Sequence, residues 1–301
     1  MKLVTRADLD GLACAVLLNE VEIIEEVIFK EPHEIDEIHT DITKSHILAN
    51  LPYHPKCGMW FDHHSSEGER TDIVEDFEGS FQLAHSAARV IYNHYRSHRF
   101  YKYEYLLSEV DRIDSAQLTH MDITFPEGWV LLSYILDPRT GLSSYQGYGI
   151  NNEDLLQRMI SLMAEYSADE ILKMHDIKQR VKRYEEQEVI FKKMLQDKSR
   201  QEDNVIITDT RGMARVPNGN RFLVYTLFPD ANISLRIMDG KDGLGTELAI
   251  GHSILNRTSF VNVGDLCERY GGGGHEGAGG VEFTHDIEDQ KIQEIIDALK
   301  D

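Results

Sequence analysis

The stretch Cys57-Gly58-Met59-Trp60-Phe61-Asp62-His63-His64 places a carboxylate and two imidazoles directly after an apolar run. Short apolar runs of this kind are typical of buried strands. Two other predicted strands precede acidic residues in the same way: Asp8 and Asp10 follow the first strand, and Asp41 follows a later one. The carboxyl ends of parallel strands meet at one edge of an α/β sheet, where ligands bind. We therefore predict a metal site at that edge.

The length and the charge limit the classes of function. A chain of 301 residues is long for a single core, which indicates two domains. The formal net charge of −21 argues against a surface for long duplex nucleic acid, which would need a basic stripe. A phosphate-bearing ligand must then be met by a few cationic groups or by metal ions. A short nucleotide or a small phosphate ester fits this charge better than a long polyanion does.

The cysteines and the apolar runs indicate the compartment. Cys14, Cys57 and Cys267 are widely spaced and odd in number, as suits reduced thiols packed in a core. The apolar run over residues 12–18 is too short for a signal peptide or a membrane-spanning helix. We therefore expect a cytoplasmic protein without a membrane partner. The sequence does not decide the oligomeric state, so a homo-oligomer stays open.

The order of the predicted elements indicates the fold class. In the N-terminal half, short strands alternate with helices as in βαβ units: the strands cover 2–5, 27–30, 35–40 and 58–61, and the helices cover 11–19, 81–99 and 101–110. A charged helix is predicted over 168–198, and it is followed by strands over 204–208, 221–227, 232–238 and 246–251. We predict an α/β protein with a mainly parallel-sheet catalytic domain (1–180), a helical linker (181–203) and a smaller α/β domain (204–301).

The candidate metal ligands are carboxylates and one imidazole: Asp8, Asp10, Asp41, His63 and Asp111. Oxygen and imidazole donors without thiolates suit Mn²⁺ or Mg²⁺ better than structural zinc. Two such ions can together activate a water and neutralise a phosphoryl group. A lone aspartate such as Asp10 before a helix is more often an N-cap, but the joint pattern reverses that expectation. Asp114 also follows the predicted helix, and Asp111 is preferred because it directly ends the apolar run.

A glycine-rich segment forms the second candidate site. Seven of the ten residues over 271–280 are glycines, and they surround His275. Such a run can be a flexible linker, but a predicted helix over 263–270 precedes it and a predicted strand over 281–283 follows. We therefore predict a ligand loop whose backbone amides bind an anion. Arg236, in the middle of a predicted strand, either faces solvent or binds a phosphate, and the sequence favours neither.

In this order the motifs resemble those of the DHH phosphoesterase superfamily, which is named for the triplet found here at 62–64. Asp8-Leu9-Asp10-Gly11 resembles its first motif, Asp41 its second and Asp111 its fourth. Gly273-Gly274-His275 resembles the signature of its associated C-terminal domain. The similarity runs nearly from end to end of the chain. It is closest in general appearance to the exopolyphosphatase-like subgroup, which includes enzymes that degrade very short oligoribonucleotides.

The resemblance implies a two-domain enzyme with its active site in the cleft between the domains. It also implies hydrolysis of phosphoester or phosphoanhydride bonds with Mn²⁺, two ions being expected and Mg²⁺ being the alternative metal. Carried over by position, the five candidate ligands above would bind metal, and Asp62 and His64 would orient the ligands or meet the scissile phosphate. The substrate's remote part would be held by Arg236, Gly273, Gly274 and His275.

One position departs from the family pattern. Many members carry a histidine ligand four residues before the first aspartate of the motif, and others carry it two residues before. Val4 and Arg6 occupy these positions here. Val4 cannot bind metal, and Arg6 would repel a nearby cation, although it could bind a phosphate of the substrate instead. The number of bound ions, one or two, therefore stays open at this point.

Three functions agree with these motifs. The leading hypothesis is a Mn²⁺-dependent phosphoesterase that hydrolyses short oligoribonucleotides or 3′-phosphoadenosine 5′-phosphate with a metal-activated hydroxide. The first alternative is an exopolyphosphatase or pyrophosphatase, which the few basic residues near the glycine run disfavour. The second alternative is a nucleotide-binding protein with reduced turnover, which the missing histidine of the first motif would explain.

Overall fold

The computed structural model describes residues 1–35, 41–68, 73, 77–240, 243–285, 287 and 289–300. The chain divides into two compact units. The first unit comprises residues 1–117 and 126–184, and the second comprises 118–125 and 185–301. The division between 184 and 185 falls inside a long helix, and the short segment 118–125 leaves the first unit to join the second.

The first unit is built on a parallel sheet flanked by helices. Its strands are β1 (Lys2–Thr5), β2 (Glu26–Phe29), β3 (His46–Ala49), β4 (Met59–Asp62) and β5 (Gly79–Phe81). Its helices are α1 (Leu9–Val21), α2 (Ser65–Gly68), α3 (Ala87–Tyr95), α4 (Glu104–Asp114), α6 (Gly128–Leu136), α7 (Asn152–Glu165) and α8 (Ala168–Leu172). The helix α5 (His120–Thr124) belongs to the second unit, and α9 (His175–Lys198) runs from the first unit into the second.

The strand order of the first sheet determines where its site lies. The order is β2-β1-β3-β4-β5, and every pair of neighbours in it is parallel. The chain therefore turns to opposite sides of β1, which places a switch point between β1 and β3. Ligand crevices of open α/β sheets form outside the carboxyl ends of the strands at such a point.

Helix α1 joins the core of this unit to its site. The helix is apolar on nearly all sides, and residues from Leu9 to Leu18 are all buried. Burial of one leucine side chain contributes roughly 1.5–3 kcal/mol. Gly11 lets the helix start tightly against the preceding turn, because a Cβ there would lie 2.1 Å from the backbone oxygen of Arg6. Asp8 and Asp10 are thus held at the first turn of a buried helix.

The second unit contains a mixed sheet. Its later elements are β6 (Ser199–Glu202), β7 (Val205–Asp209), α10 (Leu223–Leu227), β8 (Ile233–Asp239), β9 (Thr246–His252), α11 (Val263–Glu268), β10 (Gly273–His275), β11 (Ala278–Phe283) and α12 (Asp289–Ala298). The strand order is β10-β11-β9-β8-β7-β6, in which only β7 and β8 pair in parallel. Alternate residues of β8 (Ile233, Leu235 and Ile237) are buried in an apolar core with α11 and α12. Arg236 therefore lies on the opposite face of this sheet.

The structure confirms the predicted fold class, with a mainly parallel sheet, a long helix and a second α/β unit. Most predicted strands are present within one or two residues, but three predictions are wrong. Residues 221–227 contain helix α10, the glycine run is a β-hairpin, and helix α3 covers only Ala87–Tyr95 of the range 81–99. The predicted strand over 35–40 falls mostly outside the described residues. Within the described ranges, no helix is both long enough and apolar enough to span a bilayer.

Candidate metal centre

Three side chains of the first unit direct ligand atoms at one position. Asp10 lies in the first turn of α1, His63 follows β4, and Asp114 ends α4. His63 Nε2 lies 3.3 Å from Asp114 Oδ2 and 3.8 Å from Asp10 Oδ2. One ligand atom of each residue lies within 4.8 Å of the other two. These separations fit ligands that surround one cation at roughly 2.0–2.2 Å each.

A hydrogen bond fixes the orientation of the His63 ring. Its Nδ1 lies 3.1 Å from the backbone oxygen of Ala84, so Nδ1–H donates and Nε2 carries the lone pair. A backbone carbonyl or carboxylate commonly orients a metal-binding histidine in this way. The Nε2 atom is buried and has no hydrogen-bond partner. A bound cation would supply the partner that this nitrogen lacks.

Asp10 is held by the amino end of α3. Its two oxygens accept hydrogen bonds from the backbone N–H groups of Ala87 and Ala88, at 2.8 and 2.9 Å. Burial, and next the charge of Asp8, raise the pKa of Asp10 to about 7, although these two hydrogen bonds act in the other direction. Without a cation, the ionised form of Asp10 is therefore costly at neutral pH.

Asp114 is in the same electrostatic situation. Burial, and next the charge of Asp10, raise the pKa of Asp114 to about 7, against the lowering effect of His63. Two carboxylates and an imidazole lone pair thus share a small volume of negative potential. A divalent cation would relieve the repulsion between these groups, and it would also be the partner that His63 Nε2 lacks. The donor set and its geometry therefore fit a metal ion.

Asp62 and His64 form a pair beside this cluster. Asp62, at the end of β4, is fully buried, and its Oδ1 lies 3.0 Å from His64 Nδ1. Its other oxygen accepts the backbone N–H of His64 at 3.2 Å. Burial lowers the pKa of His64, but the hydrogen bond and charge of Asp62 outweigh it, and the pKa rises to about 9. The pair thus presents a protonated, half-exposed imidazole next to the cluster.

Asp8 has different partners from Asp10. As the N-cap of α1, its Oδ1 accepts hydrogen bonds from the Gly11 backbone N–H at 2.9 Å and from Asn50 Nδ2 at 3.1 Å. Its Oδ2 lies 3.5 Å from Arg6 Nε, in a mostly buried ion pair. Arg6 also lies 3.7 Å from Glu31. Asp8 is thus placed at the predicted edge of the sheet, but with a cationic neighbour.

Two residues predicted as ligands lie elsewhere. Asp41 is exposed and precedes β3, because the strand that pairs with β1 covers His46–Ala49 and ends at Asn50. Asp111 accepts hydrogen bonds from Ser86 Oγ at 2.7 Å and from Arg89 Nε at 2.8 Å. Asp111 and Asp114 lie three residues apart near the end of α4, but Asp111 pairs with Ser86 and Arg89, whereas Asp114 lies beside His63. The described residues place Asn50 beside Asp8 at this edge of the sheet, and the three-residue cluster contains Asp114 and not Asp111.

One positively charged side chain near the cluster, that of Arg139, was not predicted from the sequence. Arg139 lies in a short 3₁₀ turn over 138–140, and its Nε donates to both oxygens of Asp137 at 2.8 and 2.9 Å. Burial lowers the pKa of Arg139, but the charge of Asp137, with smaller effects of Asp8 and Asp114, raises it above its usual value. Its charge therefore acts on the carboxylates of the site. The apolar helix α6 before it gives no signal of this role.

The second unit places its candidate substrate residues on one sheet. Gly273, Gly274 and His275 form the exposed edge strand β10, which pairs with β11 through a two-residue turn. Gly279 lets α11 approach this hairpin, because a Cβ there would lie 2.9 Å from Cys267 Sγ. Arg236 is half-buried, and its Nε has no hydrogen-bond partner. A cationic donor in this state fits an anionic group of a ligand.

Comparison with known proteins identifies the family. No family model and no curated protein matches the chain. A solved structure described as the pGpG-specific phosphodiesterase PggH from Vibrio cholerae is 35% identical, covers 99% of this chain and 98% of that chain, and has a TM-score of 0.82. An exopolyphosphatase-related protein from Bacteroides fragilis is 12% identical over 99% of this chain and 91% of its own, with a TM-score of 0.51, and shares the fold alone. The chain therefore belongs to the DHH phosphoesterase superfamily.

Proposed function

We propose that the protein is a Mn²⁺-dependent phosphodiesterase that hydrolyses short nucleotides, a 5′-phosphorylated dinucleotide such as pGpG first of all. The convergence of Asp10, His63 and Asp114 on one position is the observation that carries the proposal. The substrate class follows from the similarity to the pGpG-specific phosphodiesterase PggH, at 35% identity over nearly the full length of both chains. The net charge of −21 also favours a short substrate over a long polyanion.

The residues of the first unit have distinct roles in this reaction. When bound, a divalent cation supplies Lewis acidity toward a phosphoryl oxygen and toward water. Asp10, His63 and Asp114 would hold that cation, and the amides of α3 keep Asp10 in place. Asp62 holds the ring of His64 by its Nδ1, which leaves the other ring nitrogen to give a proton to the leaving oxygen. Mn²⁺ is preferred over Mg²⁺ because an imidazole is among the ligands.

We assign the remote part of the substrate to the second unit. Arg236, with its unpartnered Nε, would bind a phosphate, and the exposed edge of Gly273, Gly274 and His275 would approach a sugar or base. A cytoplasmic location stays a prediction from the sequence, and the oligomeric state stays open. An exopolyphosphatase or pyrophosphatase is an outcome that the following experiment separates from the proposal.

The test uses the purified full chain with Mn²⁺ and four substrates: pGpG, 3′-phosphoadenosine 5′-phosphate, a cyclic dinucleotide and polyphosphate. We expect pGpG to be hydrolysed to two molecules of GMP, and the other three to react at least about tenfold more slowly. Chelation of the metal should abolish turnover, and added Mn²⁺ should restore it. Faster release of phosphate from polyphosphate than of GMP from pGpG would overturn the proposal. The variant Arg99→Gln, on an exposed surface away from the cluster, is the control for nonspecific effects.

A further inference from the structure

We infer that this chain holds one divalent cation, at Asp10, His63 and Asp114, and that the guanidinium of Arg6 occupies the place of a second cation beside Asp8. The inference rests on the proposed function, because it concerns the cations of that same site. It departs from the two ions that the family resemblance implies. Three observations support it: the partners of Asp8, the charge of Arg6 and the neutral side chain of Asn50.

Hydrogen bonds within the protein occupy one carboxylate oxygen of Asp8, and the other oxygen faces a guanidinium. Oδ1 accepts two hydrogen bonds, from the Gly11 N–H at 2.9 Å and from Asn50 Nδ2 at 3.1 Å. Oδ2 has no hydrogen-bond partner, but it faces Arg6 Nε at 3.5 Å. Asp10, in contrast, is paired with no lysine or arginine side chain among the residues that the structure describes, and its ion-pair contact there is with the imidazole of His63. The two aspartates of one motif are therefore not equivalent ligands.

The charge of Arg6 opposes a cation at Asp8. Its side chain is 14% exposed, so water screens the guanidinium only weakly. Glu31 lies 3.7 Å from its Nη2 and helps to keep the arginine ionised in this place. A divalent ion at Asp8 would be repelled by a fixed positive charge a few ångströms away. The ion pair instead neutralises Asp8 without any metal.

Among the described residues, Asn50 and Val4 supply neither a carboxylate nor an imidazole to a second position beside Asp8. Asn50 follows β3 at the switch point with a left-handed φ of 58°, and its Nδ2 points at Asp8. Its buried Oδ1 offers a neutral oxygen, which cannot bridge two dications with the charge of a carboxylate. Val4 is packed in the core at 2% exposure. In the described part of the chain, the Asp10, His63 and Asp114 group is the one set of three such ligands.

The arrangement assigns Arg6 a function in substrate binding. With one cation at Asp10, a phosphoryl group that spans the motif would meet the ion at one end and the guanidinium at the other. A guanidinium neutralises phosphate charge and donates directional hydrogen bonds, but it does not activate water as a metal ion does. The loss of its charge should therefore weaken the binding of the phosphodiester more than it changes the ion count.

The first experiment counts ions independently of turnover. The purified full chain is saturated with Mn²⁺, the free metal is removed, and the bound metal is measured together with the electron paramagnetic resonance spectrum. We expect one Mn²⁺ per chain and the six-line spectrum of an isolated ion. Two ions per chain, or an exchange-coupled spectrum, would overturn the inference. One ion without any hydrolysis of pGpG would defeat the proposed function and leave the ion count standing.

The second experiment tests Arg6 itself. The variant Arg6→Gln should keep one Mn²⁺ per chain, while KM for pGpG rises about tenfold or more, and Arg6→Lys should recover part of that loss. Arg99→Gln is the matched control, because its guanidinium bonds an exposed backbone carbonyl outside the site. Thermal melting of each variant reports whether the fold is intact. Unchanged KM and kcat in a folded Arg6→Gln protein would contradict the assigned role, whereas a second ion gained by this variant would show that the charge of Arg6 excludes it.

Discussion

Asp8 and Asp10 belong to one motif, lie two residues apart in the same helical turn, and are both buried, yet they face opposite electrostatic environments. Asp8 meets a guanidinium, an amide side chain and the N–H of Gly11. Asp10 meets two backbone amides of α3, an imidazole lone pair and a second carboxylate nearby. The difference teaches that a motif supplies residue types, whereas the partners decide which of them binds a cation.

The origin of the difference lies in the neighbouring strands. Asp8 lies beside the end of β3, where the residue that follows the strand is the neutral Asn50. Asp10 points toward the end of β4, where His63 and the end of α4 contribute further acceptors. One side of the switch point is therefore neutralised within the protein, and the other retains unbalanced negative charge. Each prediction below either breaks this contrast or measures it.

The largest expected effect belongs to Asp10. Asp10→Asn removes the central ligand, so we expect Mn²⁺ binding to be lost and kcat/KM for pGpG to fall by roughly 10³-fold or more. Asp8→Asn should still bind one ion and lose only about 10–100-fold in activity, because it removes a group that positions Arg6. The measurements are bound Mn²⁺ per chain and steady-state kinetics. Equal metal loss in the two variants would remove the contrast between the aspartates.

His64 is expected to give the next largest effect. His64→Gln keeps the ligand set but removes the proton donor, so kcat should fall by about 10²–10⁴-fold at an unchanged ion count. A nitrophenyl phosphodiester has a leaving group that needs no proton, and the variant should hydrolyse it with a much smaller defect. Kinetics with both substrates tests this expectation. An equal defect with both substrates would mean that His64 does not protonate the leaving oxygen.

From the sequence, the kind of site could be predicted better than the full set of residues that form it. Asp8, Asp10, Asp62, His63 and His64 follow strands whose apolar pattern is clear, and the structure places all five at the same edge of the sheet. Asn50 was missed because the short strand β3 was not recognised and because an asparagine is no strong signal for a metal site. The structure groups Asp114, and not Asp111, with Asp10 and His63, and a periodicity of apolar residues does not show that α4 continues to Asp114.

In the second unit, too, only part of the secondary structure could be predicted from the sequence. The strands around Arg236 were predicted from alternation, and they are present as β8 and β9. The glycine run was predicted as a loop, because glycine has low strand propensity. In the structure it pairs as a hairpin, where absent side chains allow α11 to lie close to the strands. Tertiary packing, which cannot be read from the local sequence, overrode the low strand propensity of these glycines.

The variants Asp111→Asn and Asp114→Asn form a matched pair, and we expect their effects to be of intermediate size. Asp114→Asn should weaken Mn²⁺ binding by at least about 10–100-fold while keeping the fold, because it removes a carboxylate from the cluster. Asp111→Asn should leave one ion bound but lower the free energy of unfolding by about 1–3 kcal/mol, since Arg89 loses its charged partner. Isothermal titration with Mn²⁺ and chemical denaturation separate the two outcomes. If Asp111→Asn weakened Mn²⁺ binding and Asp114→Asn did not, Asp111 would be the ligand.

The smallest effect is a pH dependence of the metal-free protein. The pKa values of Asp10 and Asp114 are raised to about 7, from 3.8, so the folded state binds more protons than the unfolded state within that window. Stability contributed by their protonated forms is present below pH 3.8 and is lost as the pH rises toward 7, at up to about 1.4 kcal/mol per pH unit for each proton. In chelator, the melting temperature should therefore fall between pH 5 and 7 by roughly a few degrees. Asp10→Asn and Asp114→Asn should each flatten this slope, and saturating Mn²⁺ should remove it, because the cation replaces the protons. The same slope in the unchanged protein, in both variants and in the Mn²⁺-saturated protein would show that charge repulsion at Asp10 is not its source. The contrast between Asp10 and Asp8 would then have no energetic consequence in the absence of metal.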